Sequence, residues 1–80
     1  MKIYLHNDNK NIIGDKIKSL RKSKGLSQKA LAEQLQLMGY EFSDLTILRI
    51  ENNNRFVADY ELKALADFFQ VSSDYLLGRK

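Results

Sequence analysis

Cysteine, proline and tryptophan are all absent from this 80-residue chain, and histidine occurs once, as His6. Each absence excludes something. Without cysteine, neither a disulfide nor a thiolate metal site can hold a small domain together. At this length the chain is near the lower limit at which one apolar core suffices unaided. A lone histidine with no second ligand at metal spacing supplies no zinc site. The four glycines form no phosphate-cradling loop. No apolar run nears the roughly 20 residues of a membrane helix, and no secretory signal pattern opens the chain. The expectation is a single cytoplasmic domain with no cofactor, no membrane partner and no evident small-molecule ligand.

Charge is present in both signs, but unevenly. Residues 1–29 carry eight Lys/Arg against two Asp, whereas residues 30–80 carry five against eight. Lys16, Lys18, Arg21, Lys22, Lys24 and Lys29 form a basic run with no acid inside it. Such a run attracts phosphate if it lies on one face, and is a plain solvated surface if it does not.

The absence of proline leaves caps and glycines to punctuate the chain. Residues 1–10 alternate briefly at Lys2-Ile3-Tyr4-Leu5 and are expected to be an N-terminal extension, a tail or a short strand. From about Asn11 the pattern is helical, with Ile13, Ile17 and Leu20 on one face and Gly25 as the left-handed terminator. Ser27 caps a second helix, with Leu26 and Leu31 as its hydrophobic staple and Leu31, Leu35 and Met38 inward, closing at Gly39. Ser43 caps a third, with Ile47 and Ile50 inward. Asp59 is the expected cap of a fourth, along which Leu62, Leu65, Ala66 and Phe69 follow helical spacing. Ser72 caps a short fifth, which leaves Tyr75 and Leu77 for packing. Phe42 is assigned to the core. The fold class expected is all-α, a compact arrangement of five short helices over residues 11–80.

Three stretches, "LRKSKGLSQKALAEQL", "SDLTILRIENN" and "YELKALADFFQVSSDYLLG", together resemble the lambda-repressor-like, Cro/C1-type (XRE) helix-turn-helix domains. The likeness spans residues 12–78. It implies a DNA-binding domain whose second and third helices form the helix-turn-helix, with the third in the major groove. Base-reading positions implied by the resemblance are Asp44, Leu45, Thr46, Leu48 and Arg49. Arg49 suits guanine, because a guanidinium can donate to O6 and N7 together, whereas Leu45 and Leu48 suit thymine methyl groups. The phosphate contacts expected are Ser27, Gln28, Lys29, Ser43, Asn52, Asn54 and Arg55. Among these, Gln28 sits at a helix N-terminus, where free N–H groups favour an anion. Asn53 stands where the family has glycine and is expected to take the left-handed conformation that ends the third helix. The family also pairs the residues matching Arg21 and Glu51, which makes them a structural ion pair here.

The connection between the second and third helices is longer than the family pattern, with "YEF" in place of a tighter turn. Enzymatic readings find little support. Ser19, Ser23, Ser27, Ser43, Ser72 and Ser73 are explained by caps or exposed faces, and Asp67 and Asp74 by solvent. Two function classes follow. One is a double-stranded DNA-binding regulator, a repressor acting as a homodimer on a pseudo-palindromic site through the fifth helix or the N-terminal segment. The other is a protein-interaction module of antitoxin or anti-repressor type, which would use the apolar outer face at Leu45 and Leu48.

Overall fold

The computed structural model describes residues 9–79. His6 and all but the last two positions of the expected N-terminal extension lie outside the described residues. Five helices follow one another: α1 (Gly14–Ser23), α2 (Gln28–Leu37), α3 (Asp44–Glu51), α4 (Asp59–Phe69) and α5 (Ser73–Leu76). None is long and apolar enough to cross a membrane.

Local chemistry starts these helices at definite residues. The hydroxyls of Ser27, Ser43 and Ser72 accept from the N–H groups of Ala30, Thr46 and Tyr75 at 3.0, 3.1 and 3.0 Å. Each satisfies one donor that the first helical turn leaves unpaired. Two starts differ from expectation. The N-cap of α4 is Ala58, not Asp59, because the Glu61 carboxylate reaches back to the Ala58 N–H at 3.0 Å. The regular part of α1 begins at Gly14, not at about Asn11. Asn11 instead turns its Oδ1 onto the N–H groups of Ile13 and Gly14 at 3.1 and 3.0 Å and caps the helix from outside.

One device ends all five. A residue with positive φ follows the helix, and two N–H groups fold back onto the last turn, six-to-one and five-to-two. At the end of α1 these are Leu26 onto Arg21 and Gly25 onto Lys22. At α3 they are Asn54 onto Arg49 and Asn53 onto Ile50. Glycine holds the left-handed position after α1, α2 and α5, Asn53 (φ 60°) after α3 and Gln70 (φ 56°) after α4. Asparagine tolerates that conformation better than other non-glycine residues, so the polar run at 52–54 is a helix terminator.

The apolar positions meet in one core. Ile13, Ile17, Leu31, Leu35, Ile47, Ile50, Leu65 and Leu76 are fully buried, with Phe42 and Phe69 beside them. Truncating any of these leucines or isoleucines to alanine costs about 2–5 kcal/mol. Met38, expected inward, is half exposed. α2 stops at Leu37 and Met38 is its C-cap, at the end of the helix next to the exposed Leu37 and Gly39. In the longer connection Phe42 is buried and Tyr40 packs against the core from its edge. The connection is tied to α2 by the Gln36 amide, which donates to the Phe42 carbonyl.

Gly14 sets how closely α1 approaches α3. A Cβ there would lie 2.5 Å from the Ile50 carbonyl oxygen and 2.3 Å from Asn53 Oδ1. No side chain fits, so the beginning of α1 rests directly on the end of α3.

Candidate nucleic-acid interface

Helix α3 has two faces of opposite character. Ile47 and Ile50 point into the core. Asp44, Leu45, Leu48, Arg49 and Asn52 are exposed, and Thr46 is half-buried. Leu45 retains 48% of its accessible surface and Leu48 retains 38%, so each leaves a large apolar area open to solvent. Arg49 is solvent-facing and takes part in none of the ion pairs among the described residues. The Asp44 carboxylate accepts from the Leu45 N–H at 2.9 Å and sits at the positive end of the helix dipole. Ser43 and Thr46 hydroxyls are 2.9 Å apart.

The end of α3 is fixed by a buried carboxylate. Arg21 on α1 grips Glu51 with two bonds, Nε to Oε2 at 2.6 Å and Nη2 to Oε1 at 3.0 Å. Its remaining nitrogen, Nη1, donates to the Leu26 carbonyl at 2.8 Å, in the turn before α2. Hydrogen bonding to Glu51 raises the Arg21 pKa further, more than burial lowers it, and the carboxylate charge adds to the effect. Gln28, the first residue of α2, donates its amide to Glu51 Oε1 at 3.1 Å. One carboxylate thus gathers α1, α2 and α3. The resemblance pairs Arg21 with Glu51; Gln28 as a third member is a contact that sequence reasoning missed.

At the beginning of α2, Ser27 Oγ takes the Ala30 N–H and the Ser27 carbonyl takes the Leu31 N–H. The N–H groups of Gln28 and Lys29 find no acceptor among the described residues. The Lys29 side chain is exposed beside them. An anion at this end would meet two free donors, the helix dipole and a lysine.

Beyond α3, Asn52 and Asn54 are exposed. Arg55 is not a free cation. Its Nη1 and Nη2 meet Glu61 Oε1 and Oε2 at 2.7 and 2.9 Å, and Nη1 also donates to the Phe56 carbonyl. Burial pushes the Glu61 pKa up, but the Arg55 hydrogen bonds, the Ala58 N–H and the Arg55 charge outweigh it, and the net shift is downward. The Arg55 side chain keeps about a third of its surface (34%), so phosphate would have to share it with Glu61. The signal available in the sequence was a glutamate three residues after the α4 N-cap, a capping position.

The basic run does not make one patch. Arg21 is buried on Glu51. Lys16 Nζ donates to the Tyr75 carbonyl at 2.7 Å and lies over the Tyr75 ring, at the end of α5. Lys24 lies 5.9 Å from the Phe68 ring centroid. Residues 16–24 wind around α1, and only tertiary contacts sort them.

A family model described as Helix-turn-helix matches residues 17–76. Among solved structures, the chain is similar to the P22 c2 repressor in complex with synthetic operator 9T, with 27% identity and a TM-score of 0.72 over 88% of this chain and 98% of that one. It is similar to the DNA-binding domain of BldD, with 26% identity and a TM-score of 0.73 over 91% and 99%. The BldD DNA-binding domain of S. venezulae gives 27% and 0.71 over 88% and 97%. None of the curated proteins matches the chain significantly.

Proposed function

Because the chain belongs to the Cro/C1-type helix-turn-helix family, we propose that it is a sequence-specific double-stranded DNA-binding transcriptional regulator, a repressor of bacterial or phage type, that reads the major groove with α3. The observation that carries this reading is the pairing of a clamped helix with an open face. α3 is held by its core side and by Glu51, while Leu45, Leu48 and Arg49 face solvent. A reading helix needs that combination, since base contacts demand a rigidly held scaffold.

In this reading Arg49 donates to a guanine edge and Leu45 and Leu48 meet thymine methyl groups, with Asp44 and Thr46 flanking them. Phosphates are met by the Gln28 and Lys29 N–H groups, the Lys29 ammonium, the Ser27 and Ser43 hydroxyls and the amides of Asn52 and Asn54. Arg55 joins them with whatever Glu61 leaves free. Two copies on a pseudo-palindrome gain affinity by acting together, and occupation of the site blocks transcription sterically. The role is binding in the cytoplasm, with no catalysis.

Selection from random double-stranded DNA at about 150 mM salt, where non-specific phosphate binding is already weak, tests this directly. A palindrome with regular half-site spacing is the expected outcome. A folded protein that enriches no sequence overturns it.

The exposure of Leu45 and Leu48 favours one other reading, a protein partner docked on the same face. It predicts a stable protein complex abolished by Leu48→Asp and a chain indifferent to DNA sequence.

A further inference from the structure

We propose that the Gln28 side chain is a positioning residue for the reading helix and not a phosphate ligand, an inference that rests on the DNA-binding reading above. Its amide nitrogen is 3.1 Å from Glu51 Oε1, the same oxygen that receives Arg21 Nη2 at 3.0 Å. Among the described residues this is the one side-chain hydrogen bond that joins α2 to α3. It links the first residue of α2, where an anion would be held, to the last residue of α3, whose outer face would read bases.

The geometry divides the labour at the α2 N-terminus. Phosphate can be held by the backbone N–H groups of Gln28 and Lys29, which have no acceptor in the described chain. The side chain, turned to Glu51, supplies the angle between the phosphate grip and the reading face. Base contacts tolerate errors of only about 0.5 Å and 10–20°, whereas a charged grip on phosphate tolerates more. Removing the amide therefore lowers discrimination between sequences and leaves non-specific affinity intact.

The test compares wild type with Gln28→Ala and Gln28→Met on a duplex selected from random sequence and on an unselected duplex, at the same salt. Gln28→Met keeps the stem of the side chain should the alanine variant fold poorly, and thermal melting checks both. The expected result is about a tenfold loss on the selected duplex, equivalent to about 1.4 kcal/mol, and no change on the unselected one. In an Arg21→Met/Glu51→Leu background, which removes the acceptor, Gln28→Ala should have no further effect. Equal loss on both duplexes, or an undiminished effect in that background, makes Gln28 a direct phosphate ligand and overturns the proposal. Wild-type protein that binds neither duplex overturns the DNA-binding reading itself, and this proposal with it.

Discussion

The Asn11 carboxamide donates to the Arg55 carbonyl oxygen at 2.9 Å and to the Ile50 carbonyl oxygen at 3.2 Å, while its own oxygen caps α1. The Lys10 N–H adds a bond to the Asn53 carbonyl at 2.9 Å. A short stretch ahead of α1 is therefore stitched to the end of α3 and to the turn behind it. Gly14, with no room for a Cβ, completes the joint.

Asn11→Ala removes the cap and both donors at once. With about 1 kcal/mol for a cap and about 1 kcal/mol for each hydrogen bond, the expected loss is about 2–3 kcal/mol in equilibrium urea unfolding. Asn11→Asp keeps the cap but aims a carboxylate at two carbonyl oxygens, so it should not restore stability at neutral pH. Full recovery by Asn11→Asp would mean that the cap alone matters and that the α1–α3 joint does not.

Acid should weaken the fold through Glu61. Its folded-state pKa lies below the ordinary glutamate value, so the stability it contributes is fully present above that value, about 4.3, and is lost as pH falls below it. Arg55 stays charged throughout, its pKa raised by hydrogen bonding to Glu61 more than burial lowers it. Melting temperatures followed from pH 7 to pH 3 should fall at the acid end. Glu61→Gln should start lower and show a shallower fall. Equal acid slopes for the two proteins would remove Glu61 from the account.

How far the sequence carries this structure depends on whether a feature is local. Ser27, Ser43 and Ser72 announce their helices because a cap needs only its own next three residues. Asn53 is legible as a terminator for the same reason. Gln70 is not, since glutamine carries no preference for positive φ, and the turn there is recognised only once the Val71 N–H is seen folded back onto the Ala66 carbonyl. Asp59 looks like a cap by residue type, yet the Glu61 carboxylate decides the matter one residue earlier. In the candidate interface, the outer face of α3 follows from helical spacing alone. The partners Glu61 for Arg55 and Glu51 for Gln28 do not, because they depend on how loops bring separate elements together.

Arg21 and Glu51 make a buried pair whose removal should depend strongly on how it is done. Glu51→Ala leaves the Arg21 guanidinium buried with one remaining acceptor, the Leu26 carbonyl, and should cost about 3–5 kcal/mol. Replacing both members, Arg21→Met with Glu51→Leu, should restore most of that loss, since a well-packed apolar pair avoids the desolvation that the charges incur. Denaturant unfolding of the single and double variants measures the difference. A double variant as unstable as the single would mean that packing space, not charge, limits the site.

Arg49 and Leu48 separate the two functional readings most cleanly, because both are exposed and neither supports the core. If α3 reads bases, Arg49→Ala should weaken binding to the selected duplex by about 1–3 kcal/mol and relax preference at one base pair. Arg49→Lys should recover only part of it, for an ammonium cannot reproduce the planar two-donor fork that matches guanine. Leu48→Asp should abolish discrimination at an adjacent position and add repulsion from the phosphates. Stability should change little in all three, within about 0.5 kcal/mol for surface substitutions away from the core. If α3 instead docks a protein, Arg49→Ala leaves DNA behaviour untouched and Leu48→Asp alone destroys the complex. Binding titrations of these variants, each confirmed folded by its melting curve, distinguish a helix that reads a groove from one that fills a partner's surface.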